Sequence, residues 1–199
     1  MINQSNHMPL GLLSPMRIII AVTIGVLSGI CLTPVLLRSI PLMRELANPS
    51  GDQFMLILLI TAGTGILIIP GLLAYVILGG GGTALFTQIV VGIVMGITTS
   101  FFGDMLLSCL LIGIFTEAAI YAFTWYRNSN LRPMLFVGLL LGLFTAVGST
   151  IGHGLMGMSI AQSLLIGAVT ISVFGVLAAL TQRVGLICQR LVWKQSYEN

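Results

Sequence analysis

Apolar runs of about 20 residues alternate along the chain with short polar or glycine-rich breaks, and six such runs can be drawn. The first is Ile18 to Leu37, following a mixed segment that ends in Pro15-Met16-Arg17. The longest polar stretch, Arg38 to Asp52, comes next; within it Leu42, Met43 and Leu46 are spaced for one amphipathic turn. Residues 54–78 form the second run, with Pro70-Gly71 inside it. A proline there removes a backbone donor and kinks the helix, so the freed groups need partners from neighbouring helices. Gly79 to Gly82 break the chain before the third run, Thr83 to Phe101, which Gly103-Asp104 turn into the fourth, Met105 to Trp125. The fifth is Pro133 to Ile151, and Gly152-His153-Gly154 open the loop to the sixth, about Ile160 to Leu180. A basic tail, Thr181 to Asn199, follows.

The pattern predicts an all-α membrane protein with six transmembrane helices. Residues 1–17 form an N-terminal segment, 18–180 the transmembrane domain and 181–199 the tail. The first run is too long for the core of a signal peptide and has no small-x-small site after it, so it reads as a retained span. Sidedness follows from Lys and Arg in the short loops. With the N-terminus inside, the inner segments hold Arg17, Arg127, Arg132, Arg183, Arg190 and Lys194, whereas the outer ones hold Arg38 and Arg44. Both termini are therefore expected in the cytoplasm, with the chain in the inner (cytoplasmic) membrane.

Composition agrees with this pattern. Of 199 residues 57% are hydrophobic and 7% charged, with a mean hydropathy of +1.10. A soluble domain carries about 25% charged residues. The net charge of +3 does not point to nucleic acid, because the few cations sit at span ends. Three cysteines, Cys31, Cys109 and Cys188, have no pairing or zinc spacing.

Glycine is abundant, 24 residues, and its placement matters more than its number. Ala21, Gly25 and Gly29 fall four apart in the first span, as do Gly92 and Gly96 in the third and Gly138, Gly142 and Ala146 in the fifth. Small residues at this spacing let helix backbones approach closely. They serve either packing within one bundle or docking of another membrane subunit.

Few side chains can carry chemistry. Glu117 lies about twelve residues into the fourth span, and Gln88 lies at a similar depth in the third. A carboxylate at that depth is costly and faces the bundle interior. The two can form a polar clasp between neighbouring helices or belong to a solute path. Asp104, at the outer start of the fourth span, suits a helix cap or a contact for a cationic ligand. Ser100, Phe101 and Phe102 precede it, and the aromatic rings can stack on a flat ligand. Asp52 and Gln162 are further polar groups at the same end. His153, with Met156 and Met158 nearby, is the candidate ligand for a metal-bearing compound. Tyr121, Phe123, Trp125 and Tyr126 read as an interfacial belt. No nucleotide-binding loop, paired carboxylates, HExxH, GxSxG or Cys-His set occurs, so ATP use requires a partner and an enzyme is disfavoured.

Over roughly Leu72 to Met158 the chain resembles the substrate-binding (S) components of energy-coupling factor transporters, in particular their YkoE/MptD-like branch. The likeness rests on Gly82-Thr83-Ala84-Leu85 opening the third helix, Gly113 to Glu117 in the fourth, Trp125-Tyr126-Arg127 at its end, and the tail residues Arg183, Arg190 and Lys194. Members carry a proline where Gly81 stands, a glutamate in place of Gln88 and an alanine in place of Thr116. The resemblance implies a transmembrane coupling protein and two cytoplasmic ATPases as partners, with no cofactor. It further implies docking of the coupling protein on Ala21, Gly25 and Gly29, and an outer pocket covered by Arg38 to Asp52. The implied substrate is a vitamin-like micronutrient: thiamine or its pyrimidine precursor first, haem, cobalamin or another metal-bearing compound as the alternative. Asp52, Ser100, Phe101, Phe102, Asp104, His153 and Gln162 are then the expected substrate contacts. A stand-alone transporter without ATPases, with Glu117 on its pathway, is the competing expectation.

Overall fold

The structure, a computed structural model, describes residues 15–46, 53–124, 131–153 and 159–195. These form seven helices: α1 Pro15–Leu46, α2 Gln53–Leu67, α3 Ile69–Leu78, α4 Thr83–Thr99, α5 Phe102–Thr124, α6 Leu131–His153 and α7 Ile160–Gln195. Among the described residues there is no strand. The second expected span is the one divided in two. Its break falls at Ile68, just before Pro70, where the ring cannot donate to the preceding turn. The remaining helices each correspond to one expected span, so the fold is a six-pass helical bundle whose second pass is broken.

Four segments are long and apolar enough to cross a bilayer: Pro15–Ser39, Leu58–Leu78, Phe102–Phe123 and Ile160–Gln189. The apolar helices Thr83–Thr99 and Met134–Gly148 are shorter. At 1.5 Å per residue α4 rises only about 26 Å, against a hydrocarbon core of about 30 Å.

Two helices extend beyond the expected spans. α1 continues through Arg38 to Leu46, where the polarity pattern suggested a loop, and α7 continues to Gln195 through most of the expected tail. Hydropathy marks where a chain leaves the bilayer, not where its helix ends. Arg, Lys, Gln, Glu and Leu all sustain a helix in water. Pro34 and Pro41 lie inside α1 with exposed side chains.

α1 packs on α4, α4 on α5, and α6 on α7, while α3 lies between α4 and α7. The main core gathers Leu72, Ile120, Val137 and Phe174 from four helices, with Ile68 at the break between α2 and α3. The small-residue stripes provide the close contacts. A Cβ added at Gly138 would stand 2.6 Å from the Cβ of Ala178, and one at Gly142 2.7 Å from the Cα of Ile171. On α1, a Cβ at Gly25 would meet Val90 at 2.7 Å and one at Gly29 would meet Val94 at 2.8 Å. Ala21, Gly25 and Gly29 are all buried. Gly25 and Gly29 of that stripe lie against α4 of the same chain, and Ala21 packs with Ile77 and Leu78 of α3.

Candidate functional site

Polar side chains concentrate in two places, one at each end of the bundle. At one end α1, α4 and α6 begin and α3, α5 and α7 finish; Arg17 marks it. At the other end lie the α4–α5 turn at Ser100 and the α6–α7 connection.

At the Ser100 end, α4 closes on Ser100, the one non-glycine residue with positive φ (62°) among those described. The Thr99 hydroxyl donates to the Met95 carbonyl at 2.7 Å and accepts from the Phe101 N–H at 3.4 Å. A Cβ at Gly96 would stand 2.8 Å from the Phe102 ring and 2.9 Å from its Cα, so only glycine allows α5 to turn back so tightly. The turn leaves the Phe101 and Phe102 rings half exposed, at 51% and 46%. Asp104 is exposed in the first turn of α5, where its charge complements the helix dipole. Aromatic faces and a carboxylate thus lie within one turn of chain, a combination suited to a flat ligand bearing positive charge.

Gln162 takes part in a local cap. Its Oε1 accepts from the Ser159 N–H at 3.0 Å, while the Gln162 N–H donates to the Ser159 hydroxyl oxygen at 3.3 Å. This reciprocal pair is a capping box at the start of α7. The Ser-x-x-Gln spacing ahead of an apolar run was the signal for it. His153 is the last residue of α6. The His153 side chain and all of Asp52 lie outside the described residues, as does most of the expected covering loop. An open groove of about 700 Å³ between α6 and α7 is lined by Val147, Ile151, Ile160, Ser163, Leu164 and Gly167 among others, and among the described residues no expected site residue borders it.

Toward the Arg17 end, the structure divides the expected Gln88–Glu117 pair into two separate ties, each to main chain. Glu117 on α5 reaches the start of α4. Its Oε1 accepts from the Gly82 N–H at 2.6 Å, and its Oε2 accepts from Ala84 and Leu85 at 3.1 and 3.3 Å. These are N–H groups that a helix start leaves without intrahelical partners, and they carry the positive end of its dipole. Arg17 on α1 supplies the opposite charge to the end of α3, donating to the Gly79 carbonyl at 3.5 Å. The α3–α4 turn is thus held at both helix ends by side chains from other helices. Its glycines permit this path, with Gly79, Gly80 and Gly82 at positive φ.

Gln88 serves the break in the second pass. Its Nε2 donates to the Leu67 carbonyl, the last residue of α2, at 2.6 Å. Gly71 and Gly113 make room for it. A Cβ at Gly71 would meet Gln88 Nε2 at 3.2 Å, and one at Gly113 would meet Gln88 Cβ at 3.0 Å. Gln88 on α4 thus supplies a side-chain donor to the end of α2 at the break in the second pass. Glu117 and Gln88 each tie helices through backbone groups and do not bond to each other.

Among the described residues no group of three or more His, Cys, Asp or Glu side chains is placed to hold a metal ion. A family model described as the permease component of an ABC-type cobalt transport system matches residues 16–144, from α1 into α6. No curated protein matches the chain, and no solved structure does.

Proposed function

We propose, from the premise that this chain belongs to the family of ABC-type cobalt transport permease components, that it is the substrate-capturing membrane subunit of an energy-coupling factor importer. Membership makes it a multi-pass membrane component of an ABC-type importer, working with ATPases. The more specific role rests on how the chain is built. It contains no nucleotide-binding loop, and its second pass is broken at mid-bundle where Gln88 bonds Leu67. It therefore depends on partners for energy: a transmembrane coupling protein and two cytoplasmic ATPases. With the Arg17 end in the cytoplasm of a cell's inner membrane, the Ser100 end faces outward and meets the substrate first.

The family match over residues 16–144 supports the importer part of this reading. The substrate assignment leans on the α4–α5 turn: Phe101 and Phe102 offer stacking faces, and Asp104 and Ser100 offer polar contacts. That set fits a flat, amine-bearing or cationic micronutrient such as thiamine or its pyrimidine precursor. The family's description favours a second reading, a cobalt-bearing compound such as a corrinoid, in which His153 becomes the contact of interest.

The test is purification of the tagged chain from its native membranes in mild detergent. The proposal expects an ATPase pair and a second membrane protein to copurify. Solute uptake by the chain alone in protein-free liposomes, without ATP, would replace it with a stand-alone transporter.

A further inference from the structure

Contacts between α3 and α7 fix how deep the basic residues of α7 lie. The second pass, Leu58–Leu78, is 21 residues long, or about 31 Å at 1.5 Å per residue, close to the thickness of the hydrocarbon core. Leu78 therefore marks the membrane boundary at the Arg17 end, and the bond from Arg17 to the Gly79 carbonyl lies just past it. α7 is still packed at that level. A Cβ added at Gly185 would stand 2.5 Å from the Val76 side chain, and Cys188 packs against the cluster of Ala21, Ile77 and Leu78. The apolar span of α7 thus runs to Gln189, well beyond the expected end at Leu180.

Arg183 precedes Cys188 by five residues, so its Cα lies about 7 Å inside that boundary. Its side chain is exposed. So are Val176, Leu180, Val184 and Ile187, at 52–60%. All five share about one third of the helix circumference, away from the face that Gly185 and Cys188 turn to α3. Arg183 is therefore a cation on the lipid-facing side of α7, with Ile187 one turn nearer the boundary. Helix side chains lean toward the N-terminus of their helix, which for α7 is the far side of the membrane, so this lean carries the guanidinium away from water.

A charge at such depth needs a counter-charge. α7 contains no Asp or Glu. Among the described carboxylates, Glu117 is bonded to the start of α4, and Glu45 and Asp104 stand at the opposite end. α7 is continuous to Gln195, so Arg190 and Lys194, seven and eleven residues on, repeat the register of Arg183 along the same face.

We propose that this column, centred on Arg183, binds the phosphate of an anionic phospholipid in the leaflet at the Arg17 end. The guanidinium gives two parallel N–H bonds to phosphate oxygens, the acyl chains lie along Val176, Leu180 and Ile187, and Arg190 and Lys194 continue the positive column at headgroup level. The lipid supplies the counter-charge that the chain lacks on this face. Its binding is independent of the solute that the protein carries.

The experiment titrates the full-length chain, delipidated in detergent, with phosphatidylglycerol or phosphatidylcholine. Bound lipid is counted by native mass spectrometry for wild type, Arg183→Lys and Arg183→Gln, and melting temperatures are read on the same samples. Wild type should prefer phosphatidylglycerol and gain several degrees from it. One cation near an anionic lipid surface is worth about fivefold in affinity. Arg183→Gln should therefore bind phosphatidylglycerol about fivefold more weakly and lose most of the rise, with its behaviour in phosphatidylcholine unaltered. Arg183→Lys, which keeps the charge without the paired donors, should fall between the two. Equal binding of both lipids by wild type, or full phosphatidylglycerol binding by Arg183→Gln, overturns the site. An equal rise with inorganic phosphate alone also overturns it, since a free anion would then suffice. Loss of a copurifying membrane protein from Arg183→Gln, with lipid binding unchanged, would give the face to a protein partner instead.

Discussion

Glu117 Oε1 accepts the Gly82 N–H at 2.6 Å, across 35 residues of sequence, and so ties the second half of α5 to the start of α4. The carboxylate does for α4 what a local capping residue does elsewhere; Gly82, at the N-cap, has no side chain to offer. Glu117→Ala should lower stability by about 2 kcal/mol, since it leaves three buried-end N–H groups without their charged acceptor. Glu117→Gln, which keeps one carbonyl oxygen, should lose less. Unfolding of both variants in detergent checks the order, and equal losses would contradict the charge-and-dipole account.

Gln88 makes a comparable prediction at the helix break. Gln88→Leu keeps the volume but deprives the Leu67 carbonyl of its donor, at a cost of about 1–3 kcal/mol. Gln88→Glu replaces the donor with an acceptor and should be worse. The measurement is again thermal or chemical unfolding, and a stabilised Gln88→Glu protein would show that the Leu67 contact is unimportant.

The glycine contacts separate packing from permissive positions. Gly138→Ala drives a methyl to 2.6 Å from Ala178 and from the Phe174 carbonyl oxygen, and should destabilise by about 1–3 kcal/mol. Gly148 has nothing within 4 Å of an added Cβ, so Gly148→Ala should be neutral or slightly stabilising. The two variants share helix α6 and differ only in what they touch.

Sidedness is testable at the two ends of α4. Gly81→Cys and Gly103→Cys place thiols at exposed positions on opposite ends of the bundle. In a background lacking the three native cysteines, a membrane-impermeant maleimide should label Gly103→Cys in intact cells. It should label Gly81→Cys only after permeabilisation. The reverse pattern would invert the orientation and move Asp104 away from an external substrate.

The long-range organisation was readable from sequence because it rests on hydropathy and on helix-breaking residues. The break before Pro70, the turn at Gly79 to Gly82 and the starts of α4 and α7 fall where the pattern puts them. The ends of α1 and α7 were not readable, because a helix that leaves the bilayer keeps its backbone bonds while its side chains turn polar. Depth marked out Gln88 and Glu117 as notable residues, but not their partners. Those partners are a carbonyl and three amide groups, which no pattern of side chains reveals. The capping box of Gln162 with Ser159 was legible in the Ser-x-x-Gln spacing ahead of the last apolar run.

At the Ser100 turn, Asp104→Ala removes an exposed carboxylate with little packing, so the fold should persist with stability within about 0.5 kcal/mol of wild type. Thiamine binding to the purified chain, followed by calorimetry, should weaken at least tenfold. Unchanged affinity would remove Asp104 from the substrate contacts.

The most direct measurement is mass spectrometry of the small molecule released when the full-length chain, purified from thiamine-fed cells, is denatured. The account predicts one thiamine-type, pyrimidine-bearing molecule per chain. A chain that releases no small molecule would contradict its role as the capturing subunit.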